Sequence, residues 1–272
     1  MTTTTPLLRP LDRAPRLTFA HVVDSERTKL LTLRSTALVG LLVFALTAAA
    51  GASVAATDAT DPAGALADGV ATTVRTISYG DLVGQLFVAV LAVLVVTQEH
   101  ATGQGRTTYA AVPRRLPVLA AKTLVAAAAV AVLSVVSSIA AWGASTAVLW
   151  STGLRTSLLA PEVLQVIGGT AAWLVLLAVV SVMIATLLRS SAAAIAVVFG
   201  LLFVLPLAVT VLSQGAGSDL SVYLLTYAGG TMDHLFTGTE PAADLGRDLA
   251  VVAAWLVVPA VAAGWATVRR DV

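Results

Sequence analysis

The chain has 272 residues, 58% of them hydrophobic and only 11% charged, and a mean hydropathy of +0.91. An average soluble domain carries about 25% charged residues, and a water-soluble fold of this length could not hide so much apolar surface, so lipid is the solvent for most of the chain. The formal net charge is only +1, and with no cysteine present, disulfides, thiolate nucleophiles and cysteine metal sites are excluded.

Residues 1–34 are read as a tail ending in an amphipathic helix over Leu17–Arg34. At 100° per residue, Phe19, Val22, Val23, Leu30 and Leu33 fall within one arc, while His21, Asp24, Arg27, Thr28, Lys29, Thr32 and Arg34 occupy the rest. A basic amphipathic helix beside a membrane span lies flat in the headgroup layer. Glu26 breaks the pattern by falling inside the apolar arc, where a carboxylate is costly without a cation or a protein contact. Pairing with a nearby Lys or Arg and contact with a partner are both open to it.

A membrane-crossing helix needs about 20 mainly apolar residues. Six runs without Asp, Glu, Lys, Arg or His meet that need: Ser35–Thr57, Leu82–Gln98, Thr123–Leu154, Val163–Leu188, Ser190–Ser218 and Leu249–Val268. The first is preceded by too long a polar stretch, and is itself too long, to be a cleaved signal, so it is read as a retained span. The second is short and is expected to begin near Tyr79, leaving Asp81 at the interface. The third must tilt or project beyond the lipid, because its 32 residues would extend ~48 Å as a helix. Along it Ala127, Ala131, Ser134, Ser138, Ala141 and Ser145 form a stripe of small residues, which lets helix backbones approach closely. Leu188-Arg189-Ser190-Ser191 joins the fourth and fifth spans as a tight hairpin. Pro206 and Pro259, inside the fifth and sixth, predict kinks. The fold class expected is an all-α membrane protein with one domain over 1–272: the N-terminal tail and amphipathic helix, a six-helix bundle over 35–268, and a short tail at 269–272.

Thirteen of the sixteen Lys and Arg residues fall on one side of this arrangement, and the other side holds only Arg75, Arg155 and Arg247. The basic side stays in the cytoplasm, which places both termini there. Ten of the fifteen acidic residues fall on the outer side. The loop Gln98–Lys122 is the one sizeable internal cytoplasmic element, and Gly103, Gly105 and Pro113 bracket a segment, Arg106–Val112, long enough for two helical turns. On the outer side, Leu220–Phe236 is apolar but too short to span, which predicts a re-entrant or interfacial helical hairpin near Tyr223–Tyr227.

Several chemistries lack their signatures. No Gly-Lys dipeptide occurs, so the chain has no phosphate-cradling Walker A loop and no ATPase motif of its own. The His-Glu-x-x-His and Gly-x-Ser-x-Gly patterns are missing too. His21, His100 and His234 lie in three separate polar segments without metal-ligand spacing. Charge-free spans weigh against ion-coupled transport, which generally needs ionisable side chains at membrane depth.

Ser25-Glu26-Arg27-Thr28-Lys29-Leu30, then Glu99-x3-Gly103-x2-Arg106-Thr107-Thr108, Pro113-Arg114-Arg115 and Ala121-Lys122 follow one another in order. The hairpin at Arg189 leads into a Phe/Leu-rich helix ending Val204-Leu205-Pro206, and Tyr223-Leu224 and Ala228-Gly229 lie beyond it. Together these features resemble the permease subunit of an ABC-2 type ATP-binding-cassette transporter, in the short single-domain form common in actinobacteria. The proline often found between the last two pairs is missing. The resemblance implies a plasma-membrane exporter whose coupling helix, near Arg106–Val112, docks on a separate ATPase subunit. That subunit would use ATP and magnesium, while the permease binds no cofactor directly. A second permease copy, identical or related, would complete a central path, and no nucleic acid is involved. By position, Glu99, Gly103, Arg106, Thr107, Thr108, Pro113 and Arg114 carry over as coupling residues, and Glu26, Arg27 and Lys29 as connecting-helix residues. Gln85, Phe199 and Phe203 would contact the path between the second and fifth spans. The competing expectations are a non-transporting scaffold or assembly protein and an ion-coupled secondary transporter.

Overall fold

The computed structural model describes residues 18–102, 115–216, 220–237 and 245–269, and all its regular elements there are helical. In chain order these are α1 (Phe19–Thr32), α2 (Arg34–Asp58), α3 (Pro62–Asp68), α4 (Val70–Thr102), α5 (Arg115–Leu149), α6 (Pro161–Leu188) and α7 (Ser191–Phe199). A π-helical turn (Gly200–Val204), α8 (Leu205–Ala216), α9 (Leu225–Thr237) and α10 (Leu245–Arg269) follow. Six of the helical stretches are long and apolar enough to cross a membrane: α2, α4, α5, α6, the α7–α8 run and α10.

Burial sorts these six into layers. The most apolar window of α4 is 61% buried, whereas those of α2 and the α7–α8 run are each 17% buried. Thus α4 and α6 form the centre, and the others wrap around them. The main core joins Val88, Ala92 and Val93 of α4 to Leu174, Leu177 and Val180 of α6, with Val130 of α5, Val198 of α7 and Leu225 of α9 closing over them.

Boundaries depart from the charge-free runs in an instructive way. α4 starts twelve residues before Leu82 and passes straight through Arg75 and Asp81. α5 starts eight residues before Thr123 and takes in Lys122, and it ends before Gly153, whose φ of 88° suits glycine. Charge does not end these helices, because the charged side chains find partners on neighbouring helices. Asp81 is therefore not at a helix end but buried within the bundle, 18 residues before Glu99 and so about 27 Å from it along the axis. The Ser138 hydroxyl lies 3.1 and 3.2 Å from its two carboxylate oxygens.

The packing of α2 against α4 and α5 depends on absent side chains. α2 buries Val43, Thr47, Gly51 and Ala55, one residue per turn. A β-carbon on Gly80 would lie 2.6 Å from the Thr47 carbonyl oxygen, and one on Gly51 would meet the Thr76 carbonyl oxygen at 3.1 Å and the Ala141 β-carbon at 3.2 Å. Of the small-residue stripe on α5, Ser134, Ser138, Ala141 and Ser145 are buried in this seam. Ala127 and Ala131 are half-exposed, and Ala126 and Val130 take the buried positions on that part of the helix.

The two prolines behave differently. Ahead of Pro206 the helix widens into the π turn, where the Leu205 N–H bonds to the Gly200 carbonyl. Proline has no N–H to donate and its ring crowds the carbonyl four residues back, and a π turn relieves both. Pro259, by contrast, sits within an unbroken α10.

The α6–α7 hairpin is as tight as its sequence requires. Arg189 ends α6 in the left-handed conformation at φ 55°, with its N–H bonded to the Ala185 carbonyl at 2.9 Å, and the Ser190 hydroxyl accepts from the Ala193 N–H at 3.4 Å. A left-handed non-glycine residue costs roughly 1–2 kcal/mol. Arg189→Gly is accordingly expected to stabilise the chain by about 1 kcal/mol in denaturant titration of the detergent-solubilised protein. A loss of stability would mean that the arginine side chain contributes more than the backbone strain costs.

Candidate functional site

The site lies at the end of the bundle that carries α1, the end of α4 and the start of α5. Leu33, extended at φ −77° and ψ 118°, turns the chain from α1 into α2. α1 rests on α5 by packing Val22 and half-buried Val23 against Val118 and Ala121. That contact turns Glu26, one helical turn beyond Val22, into the interface, where it is only 4% exposed.

Four charges meet there. Glu26 holds Lys29 at 2.6 Å through Oε1 and Lys122 at 2.6 Å through Oε2. Glu99 Oε1 accepts from Lys29 at 2.9 Å and from Lys122 at 2.8 Å. Two carboxylates and two ammonium groups alternate around a closed ring, so the quartet is formally neutral. Burial on its own would lower the Lys29 pKa, but the hydrogen bonds and negative charges of Glu26 and Glu99 outweigh it and raise the ammonium above its ordinary value.

Two further contacts tie this end together. Gln98 Nε2 donates to Ser35 Oγ at 2.8 Å, joining α4 to α2. Arg115 donates to the Thr267 carbonyl at 3.3 Å, joining α5 to α10.

Of the connecting-helix residues named from sequence, Glu26 and Lys29 enter the quartet. Arg27 points away and makes an exposed pair with Asp24 at 3.0 Å. The alternatives for Glu26 resolve in favour of pairing with lysines, and its position inside the apolar arc follows from the buried contact with α5. Glu99 lies in α4 rather than in a loop. Gly103, Arg106, Thr107, Thr108, Pro113 and Arg114, and with them the expected Arg106–Val112 helix, lie outside the described residues.

Lys122 is the member that sequence reasoning did not single out as a site residue. It appeared there only within the Ala121-Lys122 pair and as a basic residue at the head of an apolar run, with no role attached. That it shares a buried face with Val118, Ala121 and Val125 was a weak signal, and nothing along the chain links it to Glu26, 96 positions away.

The three expected path residues are placed apart in character. Gln85 is buried on α4 and accepts from the Trp173 indole at 3.1 Å. Phe199 immediately precedes the π turn and Phe203 lies within it, with ring centroids 6.0 Å apart, and Phe203 is exposed. At the opposite end of the bundle, Arg75 pairs with Asp58 at 2.8 Å and reaches Asp68 at 3.5 Å, linking α2, α3 and α4. The short apolar segment expected there takes shape as a 3₁₀ turn over Ser221–Tyr223 followed by α9. α9 buries Leu225 and Ala228 and sets Gly229 so close to Trp173 that a β-carbon would fall 2.6 Å from its ring.

No group of three or more potential metal ligands occurs among the described residues. The fold and the site define a class, the multi-pass helical membrane protein braced by a buried ionic quartet at one end. Beyond that class, no family model and no curated protein matches the chain.

Proposed function

We propose that the chain is the membrane-spanning subunit of an ATP-driven exporter of the ABC-2 type, working with a separate ATP-hydrolysing subunit in a bacterial plasma membrane. The α1 end faces the cytoplasm, in keeping with the bias of thirteen Lys and Arg residues to that side. Two copies, identical or related, complete the path, and ATP and magnesium belong to the partner.

The observation that carries this reading is the quartet. It ties α1 to the ends of α4 and α5 that flank residues 103–114, the segment expected to dock on the motor. Force delivered there reaches three helices as one body, because separating them would expose uncompensated charge in a buried site. Co-expression with a Walker-containing subunit is expected to give a complex that transports only with ATP. Arg106→Glu is expected to reduce transport by an order of magnitude or more through like-charge repulsion, with the spans still folded. Turnover without such a subunit would defeat the reading.

Asp81 favours a second reading, ion-coupled transport, since a carboxylate buried among spanning helices is a common ion-coupling element. Transport that collapses with an ionophore, ignores ATP depletion and is lost in Asp81→Asn would establish it in place of the first.

A further inference from the structure

The connection between α5 and α6, residues 150–160, holds one of the three basic residues at the end opposite the quartet. Of these, Arg75 pairs with Asp58 and Asp68, and Arg247 with Asp248. Arg155 makes no ion pair among the described residues, and its guanidinium carbon instead lies 3.6 Å over the Trp150 ring. At that distance the two planes lie face to face, because an edge-on guanidinium would drive a nitrogen into the indole. Stacking uses the guanidinium face only, so its N–H donors point outward in their own plane, clear of the ring.

The backbone holds this arrangement in place. Leu154 is buried against Ala55 and Leu149. Thr156 is buried as well: its carbonyl accepts from the Trp142 indole at 3.3 Å, and its hydroxyl meets that of Thr73 at 2.8 Å. Arg155 stands between these two anchored residues, so only its side-chain torsions are left to fix, and the indole fixes them.

Depth identifies what the donors meet. Trp150 follows Lys122 by 28 positions, about 42 Å along a helix, and a bilayer with its headgroup layers is about 40–45 Å thick. With the quartet in one headgroup layer, Trp150 stands in the other, the level at which tryptophan concentrates. The same connection leaves Trp150 57% and Leu159 76% exposed, and such side chains suit the acyl boundary better than water. The abundant anion at that depth is the lipid phosphate.

We propose that Arg155, stacked on Trp150, clamps the phosphate of an anionic phospholipid, with the exposed part of Trp150 against the acyl chains. The guanidinium fork matches two phosphate oxygens, and the lipid supplies a net negative charge to an arginine held without a carboxylate. A zwitterionic headgroup offers the same phosphate but brings its own cation, so it binds less tightly. The site needs only a chain seated in a bilayer, and it stands or falls apart from the transport reading.

The test uses the full chain in dodecyl maltoside, with a photoreactive phosphatidylglycerol as probe and peptide mapping of the adduct. Labelling is expected within 150–160, competed by phosphatidylglycerol but only weakly by phosphatidylcholine or by glycerophosphoglycerol, which keeps the phosphodiester without the chains. Mapping separates this site from the looser stack at the quartet end, where Arg269 lies 4.8 Å over Trp265. Arg155→Gln is expected to weaken labelling about fivefold to tenfold. Arg155→Lys keeps the charge without the planar fork and is expected to recover only part of that loss. Arg155 is exposed, so both variants are expected to keep the wild-type unfolding transition. Labelling confined to other peptides, equal competition by phosphatidylcholine or glycerophosphoglycerol, or wild-type labelling in either variant would overturn the proposal.

Discussion

Glu26→Ala is expected to destabilise the chain by about 3–5 kcal/mol, the usual cost of leaving a buried charge without its partner. The loss is large because Glu26 serves two ammonium groups at once, each at 2.6 Å. Without it Lys29 and Lys122 share Glu99 alone, and their mutual repulsion has no solvent to screen it at a position where Lys122 is 6% exposed. Removing a neutral pair is a different matter: Glu26→Leu with Lys122→Leu leaves Lys29 and Glu99 together at 2.9 Å and is expected to recover most of the loss, as buried ion pairs commonly do when replaced by apolar groups. Denaturant titration of the purified chain measures both. A single variant within 1 kcal/mol of the wild type would mean that the quartet does not brace α1.

The same cluster sets an alkaline limit. The Lys29 pKa is raised in the folded chain, so its contribution is fully present below the unfolded value of about 10.4 and is lost as pH rises through the higher folded value. Unfolding measured at increasing alkaline pH is expected to show this decline in the wild type and a flatter profile in Lys29→Met.

Gly80→Ala is expected to cost about 1–3 kcal/mol, and Gly80→Val more, because the seam between α2 and α4 has no room for a β-carbon. The obstruction is the Thr47 carbonyl oxygen, 2.6 Å from where that carbon would stand. A backbone atom cannot rotate aside as a flexible side chain can, so the helices themselves must separate. In lipid no hydrophobic drive restores the contact, since the tails are as apolar as the side chains. Gly143→Ala supplies the control: nothing lies within 4 Å of its added carbon, and replacing a mid-helix glycine there is expected to stabilise by up to about 1 kcal/mol. If both substitutions have the same effect, the seam is not close-packed.

Much of the architecture was legible residue by residue. Hydropathy over some 20 residues reports the solvent directly, and all six expected spans occur as long helices. Leu188–Ser191 read correctly as a hairpin because its length allows nothing else. Short apolar runs such as Leu220–Phe236 declared themselves too short to span, and α9 is the result. These properties are local, set by composition and by the few residues on either side.

Tertiary structure decided whatever depends on a partner distant in the chain. Asp81 and Lys122 looked like helix boundaries, and Arg75 like part of an outer segment, because an unpaired charge belongs outside lipid. Each instead lies within a helix, since Asp58, Ser138, Glu26 and Glu99 come from other helices to meet them. Pro206 and Pro259 look alike in sequence, yet only the first is preceded by a widened turn. Hydrophobicity accumulates along the chain and can be summed from sequence; the compensation of a charge takes place across space, and only the folded bundle supplies the second group.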